Sequence, residues 1–81
     1  MFFMFLVSYE KCQTEGGPSS GMECIFPFTF GLKHYECTSM LDPHYNRRPW
    51  CSTEVDLNGT AIPDKWGYCD DMCPVEGMYE F

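Results

Sequence analysis

The chain has 81 residues, six of them cysteine, and a formal net charge of −7 from twelve acidic and five basic side chains. A chain this short is one domain at most, and it buries only about 60% of its unfolded surface, too little for an apolar core to hold it unaided. The acidic balance excludes the basic patches that nucleic acid and anionic membrane surfaces require.

In chain order, residues 1–11 open with the wholly apolar Met1-Phe2-Phe3-Met4-Phe5-Leu6-Val7. The run is far shorter than the roughly 20 residues that span a bilayer, so no transmembrane segment is read here. It reads as an apolar leader, the remnant of a secretory signal. Cys12 to Glu23 contains Gly16-Gly17-Pro18-Ser19-Ser20-Gly21, turn and loop formers that predict a flexible lead tied down at Cys12. Phe26-Pro27-Phe28-Thr29-Phe30 alternates with period two and predicts a strand with the three phenylalanines on one face. Pro27 confines that strand to an edge. Gly31 allows a reversal, and His34-Tyr35-Glu36-Cys37 is expected as the returning strand. Thr38 to Pro49, with Asp42-Pro43 and Arg48-Pro49, is a loop. Trp50-Cys51-Ser52-Thr53 is a third strand, Asp56-Leu57-Asn58-Gly59-Thr60 a turn, and Trp66-Gly67-Tyr68-Cys69 the last strand. Residues 74–81 form an acidic tail.

The cysteines stand at 12, 24, 37, 51, 69 and 73. A zinc site wants two short pairs of ligands, and only Cys69 and Cys73 make a short cysteine pair. Disulfides are therefore the expected use, each contributing about 2–4 kcal/mol by restricting the unfolded chain. They imply an oxidising compartment, hence a secreted, extracellular chain. Sequence alone leaves fifteen pairings open.

Cys24-x-Phe26-Pro27-Phe28, Tyr35-x-Cys37-Thr38, Trp50-Cys51-Ser52-Thr53 and Trp66-Gly67-Tyr68-Cys69, in that order, resemble the fibronectin type II module, a kringle-like fold. The resemblance covers residues 24–69. It implies a small disulfide-rich β fold with two short double-stranded antiparallel sheets joined by irregular loops. It also implies the pairs Cys24–Cys51 and Cys37–Cys69. Cys12 and Cys73 then remain on either side, and the simplest expectation joins them as a clamp, placing the module at 12–73 with its core at 24–69. The nested order of pairs resembles that of the kringle.

Modules of this kind bind ligands through a shallow aromatic pocket, denatured collagen in some members and choline phospholipid head groups in others. Carried onto this chain, the pocket falls on Phe30, Trp50, Leu57 and Trp66. Flat rings bury prolyl rings, and indole faces attract a quaternary ammonium with about 0.5–2 kcal/mol each. Both indoles are expected to be open to ligand, because so small a core rarely hides two of them. Phe26 and Phe28 are expected in the core, and Tyr35 and Tyr68 are expected to be structural. Many family members carry tyrosine where Phe30 stands and an aromatic where Leu57 stands. Without those hydroxyls the phosphocholine-lipid reading weakens and the collagen reading leads. Arg47, beside Arg48, is the candidate for bonding ligand carbonyls.

Asn58-Gly59-Thr60 fits the N-glycosylation acceptor pattern in an exposed turn. There is no Gly-x-Ser-x-Gly, His-Glu-x-x-His or phosphate-cradling glycine loop, and no twelve-residue calcium loop, so neither catalysis nor a cofactor is expected. The leading expectation is an extracellular binding module for collagen, gelatin or related extracellular-matrix ligands. The alternatives are a structural or exosite module of a larger secreted protease or receptor, and a small protease inhibitor. The inhibitor is disfavoured because Pro49 follows its one candidate site at Arg47-Arg48.

Overall fold

A computed structural model of the chain describes residues 12–39 and 48–76. The apolar leader, Arg47 and the end of the acidic tail lie outside the described residues. Four strands of three residues each occur among the described residues: β1 (Phe28–Phe30), β2 (Leu32–His34), β3 (Trp50–Ser52) and β4 (Trp66–Tyr68). They form two separate antiparallel pairs, β1 with β2 and β3 with β4. Three-residue strands bury too little to be stable as isolated pairs, so their persistence has to come from crosslinks and cross-contacts.

The first hairpin is tighter than the sequence suggests. Phe30 pairs directly with Leu32, leaving Gly31 alone at the reversal with φ 76°. The returning strand is therefore Leu32–His34, and not 34–37. Tyr35 and Glu36 bend away, and Cys37 instead makes an isolated parallel bridge to Val75. Tyr35 is exposed, because the strand ends one residue before it, so it is not the structural residue expected. β1 begins after Pro27, at Phe28.

Residues 12–23 are not a flexible lead. They fold back on themselves through Thr14 N–H to Met22 C=O at 2.8 Å and Cys24 N–H to Cys12 C=O at 2.8 Å. The segment then adds to the free edge of β4: Glu15 N–H donates to Tyr68 C=O at 2.6 Å, Tyr68 N–H to Gly16 C=O at 3.1 Å, and Asp70 N–H to Gln13 C=O at 3.0 Å. Thr14 is buried, and its hydroxyl donates to the Ser19 carbonyl. A glycine-rich composition marks a loop, but it also permits close backbone approach, and that is its use here. Gly67 lies directly under the segment. A Cβ there would sit 2.7 Å from the Thr14 Cβ and 2.8 Å from the Gly16 and Ser19 carbonyl oxygens.

The other edge of β3 is covered by Thr38, whose N–H and C=O both bond Trp50, at 3.1 and 2.9 Å. The core comprises Cys12, Phe28, Cys37, Trp50, Cys51, Trp66, Tyr68 and Cys73, with Phe26, Val55, Ala61 and Val75 packed against it. Three disulfides cross it: Cys12–Cys73, Cys24–Cys51 and Cys37–Cys69.

Ordered packing continues past Cys73. Cys37 N–H donates to Pro74 C=O at 3.0 Å and Glu76 N–H to Cys37 C=O at 2.8 Å. That places the Glu76 carboxylate 2.8 Å from Nδ1 of His34, a ring only 3% exposed. His34 Nε2 stands 3.2 Å from the Phe30 carbonyl, so Nε2–H donates there. A proton between Nδ1 and the carboxylate completes the pair, leaving neither buried ring nitrogen unsatisfied.

Two substitutions test this account. Gly67→Ala drives a methyl into backbone carbonyls that have nowhere to go. It is expected to lower unfolding free energy by about 1–3 kcal/mol, read from chemical denaturation of the oxidised protein. Glu76→Ala leaves a buried imidazole nitrogen without a partner and is expected to cost about 1–3 kcal/mol. Glu76→Gln, which can still pair with Nδ1, costs less. A Glu76→Ala midpoint equal to the parent would mean that the His34–Glu76 pair does not stabilise the fold.

Candidate functional site

The site grows out of the aromatic rings that the two hairpins bring together. Period two along β1 sends Phe28 and Phe30 to the same side, and both meet Trp50. The Phe28 and Trp50 ring centroids are 5.2 Å apart and tilted. Phe30 meets Trp50 edge-on at 5.2 Å. Trp50 also meets Trp66 edge-on at 6.1 Å, and Trp66 meets Tyr68 edge-on at 5.1 Å. These tilted and T-shaped arrangements are the favoured ones for ring quadrupoles, worth about 0.5–1.5 kcal/mol each beyond burial.

Both indoles are more enclosed than their expected role suggests: Trp50 is 2% and Trp66 8% exposed. Phe28, Phe30 and Trp66 pack around the Trp50 ring, and Trp66 is in turn covered by Tyr68, so this small core does hide two indoles. Phe30, by contrast, is 39% exposed. The three rings border an open cavity of ≈ 220 Å³. Its remaining wall is Ala61, Ile62, Pro63 and Asp64. Trp50 and Trp66 therefore offer it little exposed ring surface, while Phe30 is the most open of the three rings.

The loop wall is set by a turn. Lys65 N–H donates to Ile62 C=O at 3.1 Å, closing a four-residue turn with Pro63 and Asp64 at its centre. Asp64 has φ 68°, the sole positive φ at a non-glycine position among the described residues. Proline followed by a positive-φ residue is the pattern of a type II turn. The turn reverses the chain so that Ile62 and Trp66 face one cavity from opposite sides. Thr53 N–H to Lys65 C=O at 2.8 Å holds the base of this loop.

The second support is the hairpin 55–61, where Val55 bridges Ala61 antiparallel. It docks on β1 through Thr29 N–H to Gly59 C=O at 2.9 Å and Ala61 N–H to Thr29 C=O at 2.9 Å. This docking brings Ala61 beside Phe30.

The structure thus gathers Phe30, Trp50 and Trp66 from the sequence-derived set. It does not gather Leu57, which is fully exposed and not part of the cavity wall. Leu57 sits at the tip of the 55–61 turn, and the Asp56 carboxylate, bonded to Asn58 N–H at 2.8 Å and Thr60 N–H at 2.9 Å, turns the tip outward. Arg47 lies outside the described residues. Its neighbour Arg48 places its guanidinium 4.1 Å from the Tyr68 ring centroid, a cation–π contact, and Arg48 is not among the residues that line the cavity. Sequence reasoning missed the wall from Ala61 to Asp64. The apolar Ala61-Ile62-Pro63 run just before Trp66 was the available signal.

No helix among the described residues is long and apolar enough to cross a membrane. No solved structure matches the chain. A family model described as the fibronectin type II domain matches residues 24–69, more than half of the chain and the stretch that carries β1 through Cys69. Two short antiparallel sheets, a disulfide-crosslinked core and an aromatic cluster on that same stretch agree with it, and the chain belongs to the fibronectin type II family.

Proposed function

We propose that the cavity bordered by Phe30, Trp50 and Trp66 binds extracellular-matrix ligands of the collagen type, taking a prolyl or other flat apolar group against its rings. The observation that carries this reading is the cavity itself: three rings and an apolar loop around ≈ 220 Å³ of open space. That is room for one side chain or ring, not for a drug-sized molecule, whose pockets run to about 300–1,000 Å³. A repeating polymer such as gelatin compensates by offering many equivalent groups. The family is one of binding modules, and disulfide-bonded members are typical of extracellular proteins, so a secreted, non-catalytic role fits.

The charge at the site separates collagen from phosphocholine. Among the described lining residues the one ionisable side chain is Asp64, which attracts a cation but opposes the phosphate beside it. Together with a net charge of −7, this favours a neutral ligand. A module of this kind acts as the exosite of a larger secreted protease or receptor when it is joined to one.

The test is retention of the oxidised chain on gelatin and on phosphocholine resins. Gelatin retention is expected, with affinity falling about tenfold, or roughly 1.4 kcal/mol, in Phe30→Ala, whose ring is exposed enough to be removed without opening the core. Leu57→Ala is expected to bind like the parent. A folded chain that flows through both resins would overturn the reading and leave a spacer role.

A further inference from the structure

The 55–61 hairpin, which reaches the cavity wall at Ala61, also carries a polar side chain with no structural task. Asn58 and Leu57 occupy the centre of the turn that Gly59 N–H closes onto Asp56 C=O at 2.9 Å. The backbone on either side of Asn58 is held by one carboxylate: Asp56 Oδ1 accepts from Asn58 N–H at 2.8 Å and from Thr60 N–H at 2.9 Å. Asp56 N–H donates in turn to Thr60 C=O at 3.0 Å. The turn is therefore rigid, yet Leu57, Asn58 and Thr60 are all exposed. The side-chain amide of Asn58 makes no hydrogen bond among the described residues, so replacing one of its protons breaks nothing.

We propose that Asn58 is an N-glycosylation site whose glycan stands beside the mouth of the aromatic cavity and restricts it to small ligand segments. The acceptor pattern is complete, with Thr60 two residues on. In the reaction, Asn58 Nδ2 attacks C1 of the first N-acetylglucosamine of a lipid-pyrophosphate-linked oligosaccharide. The Nδ2–C1 bond forms and the C1–O bond to pyrophosphate breaks. One amide proton is lost, and the lipid pyrophosphate leaves.

The placement follows from the backbone. Asn58 is three residues from Ala61, which lines the cavity, a chain distance of at most about 10 Å. The arm between them cannot swing away, because Thr60 bridges Thr29 in parallel, the residue preceding Phe30. A bulky, hydrated glycan on so short and fixed an arm occupies the approach to the Phe30 side. The cavity floor, formed by Trp50 and Trp66 further in, stays accessible to a narrow segment. This selection against large ligands rests on the cavity being the binding site; the modification itself does not.

The experiment separates the two. The chain is secreted from a eukaryotic host, and its intact mass is measured before and after peptide-N-glycosidase. A glycan mass removed by the enzyme is expected, absent in Asn58→Gln and in Thr60→Ala and retained in Thr60→Ser. An unmodified parent mass, or a glycan that survives Asn58→Gln, overturns the site. Glycosylated and deglycosylated protein are then compared on gelatin and with a short proline-rich peptide. Gelatin affinity is expected to be about tenfold weaker with the glycan, and peptide affinity equal in both forms. Equal gelatin affinity overturns the restriction alone. Loss of gelatin and peptide binding in both forms overturns the restriction and the cavity reading together, while the mass still decides the site.

Discussion

Three disulfides meet at one point, and the rest of the molecule is arranged around that meeting. Cys12 Sγ lies 3.3 Å from Cys24 Sγ and 3.9 Å from Cys37 Sγ, and Cys24 Sγ lies 4.0 Å from Cys69 Sγ. Five sulfurs from three different bridges thus fall within 4.8 Å of one another. Each bridge pins two distant segments, across 61, 27 and 32 residues, so six positions along the chain converge on one small volume. Such crosslinks act mainly by shrinking the unfolded ensemble. The folded state then tolerates strands of three residues and a core of only a few rings, which in an uncrosslinked chain of this length would not suffice.

What that node makes possible is an aromatic cluster that does not collapse on itself. Cys51 is fully buried and bonded to Cys24 of the node, and Trp50 precedes it in β3, held on one edge by β4 and on the other by Thr38. With its backbone bonded on both sides, Trp50 cannot shift to fill space. Phe28, Phe30 and Trp66 then approach it from three directions without closing the gap between Phe30 and Trp66. Protein interiors ordinarily exclude such gaps by repacking. Here the rings are fixed by separate backbone constraints, and the cavity is preorganised, which lowers the ordering cost of any ligand that enters it.

Much of this was legible from residues close in sequence. Cysteine-bounded segments of alternating aromatic and polar residues announce a small crosslinked β fold, and Trp50-Cys51 and Trp66-Gly67-Tyr68-Cys69 place β3 and β4 to within a residue. What was not legible depends on partners far apart in the chain. The glycine-rich 12–23 segment has the composition of a loose loop, and nothing local reveals that Gly67, more than 40 residues on, leaves the space into which it packs. His34 reads as an ordinary strand residue until Glu76 is brought to it by the Cys37–Val75 bridge. The family resemblance puts Leu57 at a pocket position, but the turn held by the Asp56 carboxylate leaves Leu57 fully exposed. The burial of both indoles follows from the convergence of the bridges, which no single motif encodes.

The turn at Pro63-Asp64 shows how the cavity wall is stabilised against the same collapse. An L-residue at positive φ costs about 1–2 kcal/mol relative to the right-handed region, least for asparagine and aspartate. Glycine would remove that cost, but it would add conformational freedom to the unfolded loop and would leave the cavity edge without a charged group. Proline at the preceding position offsets part of the cost, since its φ is already fixed near the value a turn requires. Aspartate after proline is thus a compromise: the loop reverses sharply enough for Ile62 and Trp66 to face each other, and the carboxylate stays at the rim, where water solvates it. A carboxylate there keeps the apolar wall from closing onto the rings, because closure would strip its hydration without providing a partner. The openness of the cavity is in this sense set by one backbone angle and one charge, on a loop whose base is tied to Thr53, the residue that follows β3.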